Sequence, residues 1–443
     1  MVTTHSAAEK FEARFNRFQA AEGMPFLRPD VKQAYQERVQ MIKDAVQLKK
    51  PARVPVCPVI GTYPFNYTGV TTEEAMYDYG KLGFAMKKFH ADFLPDTLAA
   101  SFVYGPGRVL DLLGYKIYRW PGHGVPVTSS YQCVEGEYMR ADEYDVFLSD
   151  PTGFFTRTYL PRAFGALEAW QMFSPFTDLI QLPFIGSFMV PFGIPQAQES
   201  LRRLLEAGQH AFEWLQAIMA IDGESISTLG LPGLFGGFAL APFDILGSTL
   251  RGWRGIMLDM FNQPNKLLSA LDRVVPMSID MGLRSVAKSH NPFVFIPLHK
   301  GADGFMSDRD FKTFYWPTLK ATILGLIKEG VVPSLLAEGS FNQRLSVIVD
   351  ADIPKGTTRW FFDQTDMKEV KKRFAGWACF GGNVPLSLLH VAKPEEIADY
   401  VKGLIDNCAQ EGGYILSTGA ALDHARAENF RAMIETCKEY GRY

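Results

Sequence analysis

Cysteine is scarce in this 443-residue chain: the five residues Cys57, Cys133, Cys379, Cys408 and Cys437 are odd in number and show no CxxC spacing. That argues against a disulfide framework and for a reducing compartment. Neither sign of charge predominates: 45 Lys and Arg stand against 48 Asp and Glu, for a net charge of −3. Without a basic stripe the electrostatic footprint of a nucleic-acid binder is missing. Long hydrophobic runs are missing too. The longest uncharged stretch, Leu179 to Gln198, is interrupted by Pro183, Pro191, Pro195, Gly186 and Gly193, which argues against a spanning helix. The segment Met1 to Arg14 lacks the apolar core of a signal peptide. No internal repeat or low-complexity tract stands out, and a cytoplasmic protein without a membrane partner is expected.

Aromatics, in contrast, are plentiful at 13% with 34 Phe, which fits a wide apolar pocket, a docking surface, or simply a Phe-rich core. Residues 8 to 50 place apolar side chains at helical spacing (Phe11, Phe15, Phe18, then Val31, Tyr35, Val39, Ile42, Val46) and predict two helices, an N-terminal extension covering one end of the main fold. Eight short apolar runs then read as strands: Val54–Ile60, Ala91–Pro95, Ile226–Leu231, Phe293–Leu298, Val331–Leu336, Arg359–Phe362, Trp377–Phe380 and Tyr414–Leu416. Most are separated by helical stretches, so the predicted fold class is α/β, a (β/α)8 barrel over residues 51–443. Between the second and third strands a large insertion, residues 115–225, reads as a hairpin around Gly122 and Gly124 followed by Phe- and Trp-rich helices. Insertions of that size on a barrel rim form lids or partner surfaces.

The firmest local signals lie near the C-terminus. Lys393-Pro394-Glu395-Glu396 puts proline and acids in a first helical turn, and Gly412-Gly413 closes that helix. Its apolar face ends at Cys408, and Cys437 follows Phe430, Met433 and Ile434 at the same spacing, so both thiols read as core residues.

Polar residues at barrel strand ends share one rim, where ligands bind in this class of fold. His299, Glu338 and Cys379 follow or end successive apolar runs, separated by 39 and 41 residues, about one strand–helix unit each. One N, one O and one S ligand would leave a fourth tetrahedral position open on Zn2+. The same residues read equally as a hydrogen-bonded acid pair with an unrelated thiol, and His299 beside Lys300 could serve a phosphate or carboxylate or be a satisfied structural histidine. Asp303, Asp363 and Asp96 are the further candidate catalytic or ligand-orienting acids, while Asp366 reads as the N-cap of the helix after it. Tyr63 in the turn after the first strand, Asn383 in Gly381-Gly382-Asn383, and Thr418 in Ser417-Thr418-Gly419 are candidate substrate contacts. Neither of the last two turns matches a dinucleotide or P-loop fingerprint.

From about residue 50 to 443 the chain resembles the uroporphyrinogen decarboxylase superfamily, in its corrinoid-linked methyltransferase branch. The resemblance is carried by Arg53-Val54-Pro55-Val56, Gly236-Gly237-Phe238 through Pro264, Gly382-Asn383-Val384-Pro385, Pro394-Glu395-Glu396, Gly413-Tyr414-Ile415-Leu416-Ser417-Thr418-Gly419 and Glu428-Asn429. Decarboxylases of that superfamily hold substrate carboxylates with an arginine-rich segment after the first strand; here that place reads Gly61-Thr62-Tyr63-Pro64-Phe65. The methyltransferase branch places zinc at the barrel mouth through an HxC pair and a later Cys. Here the later Cys maps to Cys379, whereas the HxC place reads Leu336-Ala337-Glu338, with His299 one strand earlier as the substitute. The resemblance thus implies a zinc-dependent methyltransferase that moves a methyl group between a small methylated compound, such as an aromatic methyl ether, and a corrinoid (cobalamin) on a small partner protein. The chain has no recognisable corrinoid module of its own. The aromatic insertion (Phe164, Trp170, Phe173, Phe184, Phe188, Phe192) is expected to accommodate substrate and partner. A metal-free decarboxylase or lyase using Asp96 and Asp363, and a non-catalytic corrinoid-protein-binding module, are the rival readings; a homodimer is left open.

Overall fold

The computed structural model describes residues 5–178, 181–287 and 289–443; Met1 to Thr4, and Leu179 and Ile180 at the start of the uncharged stretch, lie outside them. Its centre is a parallel sheet whose strands run Gly237–Phe238, Phe293–Leu298, Val332–Ala337, Arg359–Phe362, Cys379–Gly381 and Tyr414–Ile415, each hydrogen-bonded to the next. Two short bridged segments close the ring. Val56 pairs with Leu416, Asp96 N–H donates to Val56 O at 2.9 Å, and Leu98 pairs with Gly233. The result is the expected eight-membered (β/α)8 barrel. Every residue of Val332–Ala337 and Arg359–Phe362 is buried, as parallel strands covered on both faces require.

Two of the expected strands are helix instead. Ala91 to Phe93 end the helix Tyr79–Phe93, whose inward face carries Phe89 and Phe93, and the barrel backbone resumes at Asp96. Ile226 to Leu229 end the 35-residue helix Pro195–Leu229; Gly230, at φ +64°, terminates it, and the barrel segment begins beyond Pro232. In both places a β-branched or aromatic run continues an amphipathic helical face, so tertiary packing overrides strand propensity.

The N-terminal helices Ala7–Ala20 and Pro29–Val46 plug the end of the barrel where the strands begin. Ser6 and Glu9 form a capping box at the first, and Pro29 opens the second. Phe15 and Phe18 pack edge-on against Phe293, the first residue of its strand. Between barrel segments two and three, residues 99–231 form the rim insertion. It contains a small sheet (Tyr118–Pro121, Gly124–Val125, Gln132–Cys133) and the helices Leu182–Met189 and Pro195–Leu229. Helix Pro394–Cys408 buries Ile397, Val401, Leu404, Ile405 and Cys408, and helix Ala427–Tyr440 buries Cys437 with Phe430, Met433 and Ile434, as the spacing predicts.

Candidate functional site

At the C-terminal rim, Leu298 pairs with Ala337 and Ala337 with Phe362, so the next residues, His299, Glu338 and Asp363, emerge side by side. His299 Nδ1 lies 3.0 Å from Glu338 Oε2, and both side chains are a little over a third exposed (39% and 38%). Burial works against the imidazolium, but the Glu338 hydrogen bond and the charges of Asp244 and Glu338 outweigh it, leaving the His299 pKa raised. His299 Nε2 has no protein hydrogen-bond partner among the described residues.

Asp244 supports this pair from below. It is fully buried, accepts from the His299 backbone N–H at 3.1 Å and from Tyr315 Oη–H at 2.8 Å, and its second oxygen is unpartnered. Burial raises its pKa. Beside it Lys300 Nζ donates to Ser248 Oγ at 2.5 Å. Asp363 accepts from Gly339 N–H at 3.0 Å, and burial, with the Glu338 charge added, raises its pKa. From the rim insertion comes Tyr131, half-exposed, whose pKa is raised by burial and then by the charges of Glu338 and Asp423. Its ring meets Tyr118 edge-on at 5.3 Å and Tyr104 at 6.3 Å. An imidazole and two carboxylates therefore share the mouth, with Tyr131 near enough to feel the Glu338 charge.

Asp244, Tyr315 and Tyr131 are the members that sequence reasoning misses. Asp244 sits in Ala241-Pro242-Phe243-Asp244 just after the third barrel segment, so placing that segment correctly would have found it. Tyr131 lies in an insertion without a periodic signal.

Cys379 is not at this mouth. Its strand begins with it, paired to Arg359, and Phe361 pairs with Gly381, so Asn383 is the residue level with Asp363. Cys379 precedes Asn383 by four positions, roughly 13 Å down the strand. It is fully buried beside Phe293, Leu336 and Phe361, with burial pushing the thiol up to about 12. Imidazole, carboxylate and sulfur therefore do not converge, and the expected zinc triad does not fit these residues. Among the described residues no group of three or more His, Cys, Asp or Glu side chains is placed to hold a metal ion.

Other candidates have structural partners. Asp96 starts rather than ends its barrel segment, at the plugged end: it is fully buried, accepts from Arg53 at 2.5 and 2.7 Å and from Val56 N–H, and has Arg38 at 3.8 Å. Asp303 accepts from Ser340 Oγ and Gln343 N–H and faces the buried Arg344 at 3.6 Å, tying two rim loops together. Tyr63 is enclosed by Phe89, Phe93 and Phe430. Asn383 donates to the carbonyls of Asp363 and Thr365, and buried Thr418 exchanges hydrogen bonds with the Val59 backbone. Tyr63 and Thr418 are buried and brace the barrel, and Asn383 braces it through its amide nitrogen. Asp366 caps its helix through Lys368 N–H, as expected, and in the insertion Phe192 stacks on Phe173 and packs tilted against Phe188, while Phe164 stacks on Tyr115.

The family model described as uroporphyrinogen decarboxylase (URO-D) matches residues 228–440. No curated protein matches the chain. Among solved structures, a methyltransferase from Methanosarcina mazei superposes with a TM-score of 0.60 at 14% identity, covering 92% of this chain and 98% of that one. That likeness establishes the shared fold.

Proposed function

We propose, from the match of residues 228–440 to the uroporphyrinogen decarboxylase model, that the protein is a methyltransferase in which the His299–Glu338 pair is the general acid. The observation that carries the reading is the 3.0 Å contact between His299 Nδ1 and Glu338 at the C-terminal rim, which favours the imidazolium and leaves Nε2 free to donate. The similarity in fold to a methyltransferase supports the reaction class.

The substrate is a small methylated compound, with an aromatic methyl ether favoured by the half-exposed ring of Tyr131, which is backed by Tyr118 and Tyr104. A reduced corrinoid, brought by a small partner protein, supplies the nucleophile that accepts the methyl group. As the C–O bond breaks, its electron pair stays on oxygen, and His299 Nε2–H donates the proton that converts the leaving group to an alcohol or phenol. Glu338 holds the ring in orientation and stabilises its charged form. Asp244 fixes the His299 backbone, and Asp363, its pKa raised, lies beside Glu338 as a hydrogen-bonding group for the substrate.

A decarboxylase reading is favoured by the family match itself. It lacks the cationic cradle a polycarboxylate needs, since residues 61–65 and 417–419 carry no arginine. The test incubates the full chain anaerobically with free Co(I) cobalamin and an aromatic methyl ether, following loss of the Co(I) absorbance. Methylcobalamin formation that His299→Gln abolishes supports methyl transfer. Full turnover in that variant, or carbon dioxide release from a carboxylated substrate without methyl transfer, overturns it.

A further inference from the structure

Helix Pro195–Leu229 has two apolar faces, and its own chain uses one. Ala197, Ser200, Ala207, Ile218, Ile221 and Ser225 are buried in the insertion. On the opposite side Leu201, Leu205, Gly208, Phe212, Leu215 and Met219 recur at alternating steps of four and three residues, the heptad seam of a coiled coil. Leu205, Phe212 and Met219 are 72%, 60% and 66% exposed. Over 18 residues the seam runs roughly 27 Å. Eleven of the 25 exposed large hydrophobics among the described residues fall between Met172 and Met219, a density that scattered surface residues do not reach.

We propose that this seam is the two-fold interface of a homodimer, in which the helix packs antiparallel against the same helix of a second copy. The spacing is self-complementary. When Leu205 faces Leu215 of the second copy, Leu201 faces Met219, and Phe212 meets Gly208, each contact occurring twice about the axis. Gly208 has nothing within 4 Å of the position a Cβ would occupy, so it leaves the hole that a phenylalanine knob fills. Charge agrees with this pairing. The seam-flanking positions carry Gln209 and Gln216, which face Gln209 and Arg202 of the second copy, so no like charges meet. Helix Leu182–Met189 leads through a short turn into this helix and exposes Leu182, Phe184 and Val190 as well.

Light scattering coupled to size exclusion, with the full chain at tens of micromolar, tests this. The parent is expected as a dimer. Phe212→Glu, an exposed substitution whose folding is checked by circular dichroism, is expected to weaken the dimer at least tenfold. The double variant Leu205→Cys with Leu215→Cys is expected to cross-link under mild oxidation where the parent and each single variant do not. A monomeric parent, a dimer that survives Phe212→Glu, or no cross-linking in the double variant overturns the proposal. So does a monomer that instead co-sediments with phosphatidylglycerol vesicles through this face.

Discussion

The two ends of the barrel use the same residue types to opposite ends. At the mouth, His299 and Glu338 keep over a third of their surface in water, and their contact leaves a ring nitrogen free. At the plugged end Asp96 is bound by Arg53 and Arg38 and by a backbone N–H, with no exposure. Beside it Arg359 is fully buried, lies over the Phe293 ring at 3.9 Å, and donates to Ser334 Oγ and Leu234 O; burial lowers its pKa to about 10. Its neighbours Cys57 and Cys379 are pushed up to about 12, in each case chiefly by burial. Solvent access thus separates a group poised to exchange a proton from one that holds strands together. Residue type and strand-end position do not.

The largest test of that contrast is His299→Gln. Losing the proton donor is expected to reduce kcat/KM by about 10²- to 10⁴-fold while the denaturation midpoint hardly changes. Asp96→Ala should do the reverse: it strands two arginines and is expected to destabilise the fold by about 3–5 kcal/mol, read by urea denaturation, with turnover per folded molecule retained. A folded Asp96→Ala protein without turnover would return Asp96 to the chemistry. Cys379→Ser introduces a hydroxyl into an apolar layer, expected to cost about 1–3 kcal/mol. Its turnover and metal content should match the parent's, and a metal lost specifically in this variant would mean that the sulfur reaches the mouth after all.

The smallest effect is in pH dependence. The acid form of His299 is required and its folded pKa is raised, so activity is full below that pKa and falls as pH rises through it. The stabilisation from the His299–Glu338 contact disappears in the same direction. Glu338→Gln removes the main raising influence, so the falling limb of the kcat/KM profile should move to lower pH. A limb that stays in place would assign the titration to another group.

Part of this was legible in the chain. Phe293–Leu298 and Arg359–Phe362 coincide with their predicted bounds, and the helix Pro394–Cys408 follows its proline, acids and apolar spacing. His299, Glu338 and Asp363 follow strands that the sequence pattern marks, so their place at the rim is legible from position. Asp96 is misplaced and Asp244 missed from sequence because the second and third barrel segments are short and adjoin helices whose apolar faces run into them. Cys379 was misjudged although its strand was found, because strand membership does not fix height. A shift of a few residues along one strand separates the solvated mouth from the packed interior.

The amino-acid order alone determined six of the eight barrel segments, the N-terminal plug and the core thiols Cys408 and Cys437, since each follows from periodicity and caps within a single segment. Only the tertiary structure decided which polar side chains meet. Ladder register and barrel closure set the relative heights of residues tens of positions apart, and no local pattern encodes those heights.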